Sequence, residues 1–439
     1  MPRKLFGTDG VRGVAGEFVT AELALALARA ATEQTGAERP QVLIVRDTRE
    51  SGEMLQAAVA AGVAAAGGDA LLGGVLPTPA APLLIGRYGF DLAVVLSASH
   101  NPFQDNGIKF FAGDGFKLSD DDEHAIERLL ERDAPPENAS IGHVRELRGA
   151  PEDYLRELHA RFAQLELSGI DVLLDCANGA TYHVAPEIFR RLGANVSVIA
   201  DEPDGRNIND GVGSTHVEAL AERVVAGGHS LGFAFDGDGD RVLAVDGAGQ
   251  IVDGDELLAL AALHLRASGR LSGDGVAVTV MTNYGFHSAM KQAGVNVVTT
   301  SVGDRYVLEA LRERDWALGG EQSGHIIEMG FNRTGDGLAS ALLTMEALAG
   351  ADLSERHAMA KLPQRLVNVR VRDRGALAEA ASVDQAVREA EQELTGRGRV
   401  LVRPSGTEPL VRVMVEAPTE EEAQEVCARL VALVQSELG

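Results

Sequence analysis

The sequence predicts an α/β fold: three related α/β domains with mixed sheets, followed by a C-terminal α+β domain, set around a central active-site cleft. Two observations predict it. Ala-rich amphipathic helices stopped by glycine alternate with short β-branched strands, the order that builds sheets with parallel strands. The pattern also recurs three times, and each copy ends in a strand that runs into a polar loop. Ligands of such sheets bind at the carboxyl ends of the strands.

In the first copy a helix over Leu55–Ala66 stops at Gly67-Gly68, and a strand over Asp91–Leu96 runs into Ser97-Ala98-Ser99-His100-Asn101-Pro102. In the second, a helix over Ala185–Leu192 stops at Gly193, and a strand over Ser230–Phe235 runs into Asp236-Gly237-Asp238-Gly239-Asp240-Arg241. In the third, a helix over Phe286–Ala293 stops at Gly294, and a strand over Trp316–Gly319 runs into Gly320-Glu321-Gln322-Ser323-Gly324-His325. Glycine is the expected helix stop. The last segment differs. Leu377, Ala380, Val387 and Leu394 fall on one helical stripe. Strands over Val400–Val402 and Leu410–Val415 flank the loop Arg403 to Pro409. Thr419 and Glu422 then form a capping box before a helix with the stripe Ala423, Val426, Leu430 and Leu433. The expected domains are 1–149, carrying the serine loop; 150–252, carrying the acidic loop; 253–362, carrying the Glu321 loop; and 363–439.

The bulk composition bounds the function. A chain of 439 residues needs roughly two to four domains. Aromatics are only 4%, so Ala, Val, Leu and Gly must build the interior. The balance of 65 acids against 40 bases, a net charge of −25, excludes nucleic acid and anionic membrane as partners, since both need a positive footprint. A small phosphorylated substrate fits only where basic residues gather. Cys176 and Cys427 lie in no Cys-x-x-Cys pattern, which points to a reducing compartment without disulfide or zinc. Gly7-Thr8-Asp9-Gly10 follows the basic start where a secretory leader would be apolar, and no segment reaches the ~18 apolar residues of a membrane span. The expectation is a cytoplasmic protein.

Asp236, Asp238 and Asp240 are the sharpest metal signal. Carboxylates at alternate positions, spaced by glycine, can converge on one hard cation, and magnesium prefers oxygen ligands. An EF-hand is excluded, because its sixth and twelfth positions, Gly and Glu, are here Arg241 and Gly247. Ser99 ends an apolar strand and can serve as a nucleophile. The hydrolase elbow Gly-x-Ser-x-Gly is missing, and His100 is a sequence neighbour of Ser99, a poor arrangement for a triad. Lys109 follows among apolar residues, whose partial dehydration suits an acid, a base or a charge clamp. Arg403-Pro404-Ser405-Gly406-Thr407 offers a guanidinium fork, two hydroxyls and backbone amides to a phosphate, with Arg412 on the next strand. Phe6 to Gly13 joins glycines to Arg12, a weak signal by itself. Glu321, Ser323 and His325 supply an acceptor, a hydroxyl and an imidazole within five residues, which suits sugar hydroxyl recognition and proton transfer.

Taken together, the serine loop, Asp-Gly-Asp-Gly-Asp-Arg, Gly-Glu-x-Ser-Gly-His and Arg-x-Ser-Gly-Thr-Glu-Pro, in that order over the whole chain, resemble the α-D-phosphohexomutase superfamily. Phe6 to Gly10, Ser97 to Phe103, Asn209 to His216, Gly320 to His325 and Thr334 to Gly337 are similar to its glucosamine-phosphate branch. Only Arg333 stands where the family often has a small polar residue. The resemblance implies a covalent phosphate on Ser99 and one Mg²⁺ held by Asp236, Asp238, Asp240 and a phosphoserine oxygen. It also implies a sugar phosphate gripped by Arg403, Ser405, Gly406, Thr407 and Arg412, with its hydroxyls on Glu321 and Ser323. Arg12, Lys109 and Arg241 would offset charge, and His325 or Lys109 would move the hydroxyl proton. A homodimer is compatible with it. A mannose- or glucose-phosphate mutase, a silent sugar-phosphate sensor and a phosphatase using Asp236 are the competing readings.

Overall fold

The computed structural model describes residues 5–7, 9–131, 140–404 and 409–439. The chain packs as two compact units, Met1–Met281 with Asn296–Arg356, and Thr282–Val295 with His357–Gly439.

The first unit holds three sheets. The first contains β1 (Val11–Val14), β2 (Gln41–Arg46), β3 (Asp69–Val75), β4 (Leu92–Leu96), β5 (Asp105–Ala112) and β6 (Val144–Glu146), in the order β1-β5-β4-β2-β3-β6. Val42 to Val45 and all of β4 are buried, as expected of central strands covered on both faces. Small side chains let the covering helices approach closely. Between the helices Ala21–Gln34 and Gly52–Ala65, a Cβ on Gly62 would lie 2.3 Å from the Leu25 carbonyl oxygen. The predicted helix over Leu55–Ala66 thus starts a turn earlier.

The second sheet contains β7 (Asp171–Asp175), β8 (Asn195–Ile199), β9 (Leu231–Phe235), β10 (Val242–Asp246) and β11 (Ile251–Val252), in the order β11-β10-β9-β7-β8. The third contains β12 (Gly275–Thr279), β13 (Asn296–Thr300), β14 (Leu318–Gly320) and β15 (Ile326–Glu328), in the order β13-β12-β14-β15. One plan runs through all three. A parallel core meets an antiparallel neighbour that follows it in sequence, so that β4–β5, β9–β10 and β14–β15 are hairpins. Their closing pairs are Leu96 with Ile108, Phe235 with Val242, and Gly320 with Ile326. The three polar loops of the sequence are therefore hairpin connections at strand carboxyl ends.

The second unit is an antiparallel sheet of β16 (Gln364–Arg370), β17 (Arg399–Pro404) and β18 (Leu410–Glu416), in the order β16-β18-β17, with the helices Ala381–Glu393 and Glu420–Leu438 over it. The helix Tyr284–Ala293, which lies within the expected third domain in sequence, packs with this unit, where its Tyr284 amide donates to Glu416 Oε2 at 2.7 Å. The helix expected from Leu377 starts only at Ala381, because Arg374–Glu379 is a 3-10 turn capped by Asp373, yet Leu377, Ala380 and Val387 still pack on the core with Leu394. Thr419 does accept from the Glu422 amide, but the Glu422 carboxylate pairs with Arg397, leaving half of the expected capping box. No helix among the described residues is long and apolar enough to cross a membrane, and both cysteines are buried and unpaired.

Candidate active site

The serine loop enters the site in an uncommon backbone shape. Ser99 has φ 53°, a left-handed conformation that costs a non-glycine residue roughly 1–2 kcal/mol. It is compensated by bonds around it. Its amide donates to Ser97 Oγ at 3.0 Å, and Ser97 Oγ donates to Asp47 Oδ2 at 2.6 Å. Its carbonyl accepts from Arg49 Nη2 at 2.9 Å and from Asn209 Nδ2 at 3.0 Å. The hydroxyl then points at the second loop and donates to Asp236 Oδ2 at 2.5 Å. His100 Nδ1 is 3.4 Å from the same hydroxyl. Burial, with Arg241 and Arg12 nearby, lowers the His100 imidazole to about 4, so it faces Ser99 uncharged at neutral pH.

The β9–β10 loop brings Asp236, Asp238 and Asp240 together, all buried, with an oxygen from each within 4.8 Å of the others. Glycine makes this approach possible. A Cβ on Gly237 would stand 2.6 Å from the Ser99 carbonyl oxygen and 2.7 Å from Asn209 Nδ2. Crowded charge follows from burial. Desolvation, reinforced by Asp240 and Asp238, pushes the Asp236 carboxyl well above the usual range. Desolvation also acts on Asp240, but His325, Lys109 and Arg241 outweigh it and hold that carboxyl below the usual range. Lys109, 1% exposed, reaches Asp238 Oδ2 at 2.7 Å and Asp9 Oδ2 at 3.1 Å. Burial opposes its charge, yet Asp238 and Asp9 win, and its pKa rises. Thr78 Oγ1 donates to Asp238 at 2.6 Å. Asp238 Oδ1 and Asp240 Oδ1 are buried without a hydrogen-bond partner. Such oxygens cost free energy unless something coordinates them. The donor set is all oxygen, so these residues fit a hard divalent cation.

The third loop lies against the second. Gly324 has φ +87°, and a Cβ there would meet the Val242 carbonyl oxygen at 2.0 Å. The Val242 amide donates to the Gly324 carbonyl at 3.1 Å. His325, 2% exposed, accepts at Nε2 from the Gly335 amide at 3.1 Å and turns Nδ1 to Asp240 Oδ2 at 3.6 Å. Burial disfavours its charge, and Asp240 and Asp304 more than offset this, so its pKa is raised. Glu321 Oε1 accepts from the Gly303 amide at 3.1 Å, and Ser323 Oγ is buried without a partner. Arg241 lies between the loops, its amide on Asp236 Oδ1 at 3.2 Å and its Nε 3.7 Å from Asp240 Oδ1. Arg12 pairs with Asp9, which also bonds Lys117, itself paired with Asp304. Between them Lys109, Lys117 and Arg12 overcome the burial of Asp9 and hold its carboxyl well below the ordinary range.

Ser99, Lys109, the three aspartates, Arg241 and His325 thus meet directly, Arg12 joins through Asp9, and Glu321 and Ser323 sit on the adjoining loop. In the second unit, Arg403 and Arg412 are directly opposed on neighbouring strands. Burial and then Arg412 lower the Arg403 pKa. Ser405, Gly406 and Thr407 lie outside the described residues. Sequence reasoning quoted Asp9, Ser97 and Asn209 only as members of motifs, without a role, and did not reach Asp47, Arg49, Thr78, Lys117 or Asp304. Asp47 and Arg49 had one usable signal, their place just after a buried strand.

Four family models match in order along the chain: phosphoglucomutase/phosphomannomutase alpha/beta/alpha domain I over residues 3–137, domain II over 152–249, domain III over 253–366 and the C-terminal domain over 366–433. The chain belongs to this phosphoglucomutase/phosphomannomutase family of phosphohexomutases, and is an isomerase, an intramolecular phosphotransferase. It is 51% identical to a phosphoglucosamine mutase of Moorella thermoacetica, over 97% of this chain and 98% of that one. With a phosphoglucosamine mutase of Bacillus subtilis it shares 49% identity, over 99% of both chains. A crystal structure of a phosphoglucomutase/phosphomannomutase family protein from Burkholderia thailandensis shares the fold, with a TM-score of 0.80 at 23% identity, over 98% of this chain and 97% of that one. Within the family, the chain therefore groups with the phosphoglucosamine mutases rather than with the mannose- or glucose-phosphate enzymes.

Proposed function

We propose that the chain interconverts α-D-glucosamine 6-phosphate and α-D-glucosamine 1-phosphate through a phosphorylated Ser99 and glucosamine 1,6-bisphosphate. The observation that carries this is the Ser99 hydroxyl, 2.5 Å from the first of three clustered aspartates 137 residues further along the chain. Asp236, Asp238 and Asp240, with an oxygen of the phosphoserine, would hold one Mg²⁺, which when bound draws charge from the migrating phosphoryl group. Phosphoryl transfer is chiefly positioning and charge neutralisation. The sugar 1-hydroxyl forms the new P–O bond as the bond to Ser99 Oγ breaks. Lys109 Nζ, held on Asp238 and Asp9, relays the proton of the sugar hydroxyl to the departing Ser99 oxygen. His325 has both ring nitrogens turned to protein groups and fixes Asp240. The bisphosphate then turns over and returns its 6-phosphate to Ser99.

Arg12 and Arg241 offset phosphoryl charge, while Glu321 and Ser323 hold the sugar hydroxyls. Arg403 and Arg412, with Ser405, Gly406 and Thr407, grip the distal phosphate. The opposed arginines support that role, since two guanidinium groups directly across one ladder can close on the same anion. The phosphatase reading is disfavoured, because Asp236 Oδ2 is already engaged by the Ser99 hydroxyl at 2.5 Å and the chain groups with the phosphoglucosamine mutases. We place the enzyme in the cytoplasm. The test is intact-mass analysis of the purified chain with the phosphate located by fragmentation, beside assays on glucosamine, mannose and glucose 6-phosphates. One phosphate on Ser99 and preferred turnover of the amino sugar are expected. An unphosphorylated Ser99 in a fully active enzyme would defeat the proposal.

A further inference from the structure

We infer that Arg49 and Asn209 are positioning residues that jointly lock the Ser99 loop in its left-handed conformation; this rests on Ser99 being the phosphoryl carrier. Arg49 follows β2 and is wholly buried. A guanidinium has five N–H donors, and here each faces a protein acceptor. Nε donates to Asp47 Oδ2 at 2.8 Å, and Nη1 to the carbonyls of Asp105, at 2.9 Å, and Pro102. Nη2 donates to the carbonyls of Ser99 at 2.9 Å and Asn101 at 2.8 Å. Arg49 therefore has no donor left for a phosphate, and its role is to gather four carbonyls of one loop around a planar fork.

Asn209 comes from the other side, in the loop after β8. Its Nδ2 donates to the same two carbonyls, Ser99 at 3.0 Å and Asn101 at 3.1 Å. Asn209 is itself left-handed, at φ 59°, a conformation asparagine tolerates. One guanidinium and one amide converging on the same pair of carbonyls fix the peptide after Ser99, while Ser97 Oγ holds the Ser99 amide before it. With the peptides on both sides held, the left-handed backbone of Ser99, and hence the direction of Oγ toward Asp236, follows. A loop free to relax would swing Oγ away, and a displacement of about 1 Å at a reacting atom can cost ~10²-fold in rate.

Arg49→Lys keeps the charge but not the fork, and Asn209→Gly keeps the backbone shape but removes the amide. Single-turnover transfer from phosphorylated enzyme to glucosamine 6-phosphate, with steady-state kcat and KM, reads the effect. We expect kcat to fall about a hundredfold in Arg49→Lys and about tenfold in Asn209→Gly, with KM within threefold and Ser99 still phosphorylated. Because both act on the same carbonyls, the double variant should lose less than the product of the two. Normal single-turnover rates, a rise in KM at constant kcat, or strictly multiplicative losses would overturn the inference. If Arg49→Lys does not fold, Asn209→Gly carries the test by itself. A wild-type chain lacking phosphate on Ser99 would overturn the carrier reading instead, a result separable from normal rates in phosphorylated variants.

Discussion

The β4–β5 and β9–β10 connections meet at one point, yet they are held by opposite means. The serine loop is bound from outside by polar groups: Arg49 and Asn209 donate to its carbonyls, and Asp47 accepts from the Ser97 hydroxyl, which in turn holds the Ser99 amide. The aspartate loop is shaped from within by glycine, Gly237 lying on Ser99 and Gly239 turning at φ +69°. The difference follows from charge. The polar side chains that reach the second loop, Thr78, Lys109 and His325, are taken up by its carboxylates. The serine loop carries no such charge, so Arg49 and Asn209 go to its carbonyls.

The comparison is broken most severely at its shared bond. Ser99→Ala should remove mutase activity by more than about a thousandfold, with an unchanged near-UV spectrum and a melting temperature within a few degrees; measurable turnover above a hundredth of wild type would refute it. Gly237→Ala tests the steric half. Its methyl cannot fit against the Ser99 carbonyl, so kcat should drop about a hundredfold, with about 1–3 kcal/mol lost in urea denaturation. Asp240→Ala tests the electrostatic half by deleting a proposed ligand, and Mg²⁺ affinity measured by calorimetry should weaken by more than the roughly 10–100-fold that loss of an outer-shell partner costs.

The smallest effect lies behind the third loop. Burial raises the Asp336 carboxyl from its usual range to about 6, so the folded chain keeps a proton that the unfolded chain has released. The stabilisation is complete below the ordinary pKa of about 4 and is lost as pH rises through 6. Asp336→Asn should flatten this slope, worth about 3 kcal/mol, in stability curves recorded from pH 4 to 7.

The chemistry of the three loops was legible because each is a short polar run directly after an apolar strand. Their hairpin geometry was not. Alternating helices and strands suggest parallel neighbours, and nothing in Asp236 to Arg241 shows that the chain reverses to pair Phe235 with Val242. Arg49 was missed because an arginine near two acids reads as surface charge; only burial shows that its fork is filled by carbonyls. In the second unit Leu433 was placed on the buried stripe, whereas Val434 is fully covered and Leu433 only partly. A one-residue drift of this kind is hard to read over a helix of 19 residues. The grouping of Tyr284–Ala293 with the C-terminal sheet depends on Glu416, far away in sequence and invisible to local pattern.

With Gly237 seated against the Ser99 carbonyl and Ser99 Oγ bonded to Asp236, these two connections resist closing further or sliding past one another as independent gates. On the proposed mechanism, admission of substrate and reorientation of a doubly phosphorylated intermediate fall to other stretches of the chain, leaving Ser99 and the acidic turn as a single stationary anvil.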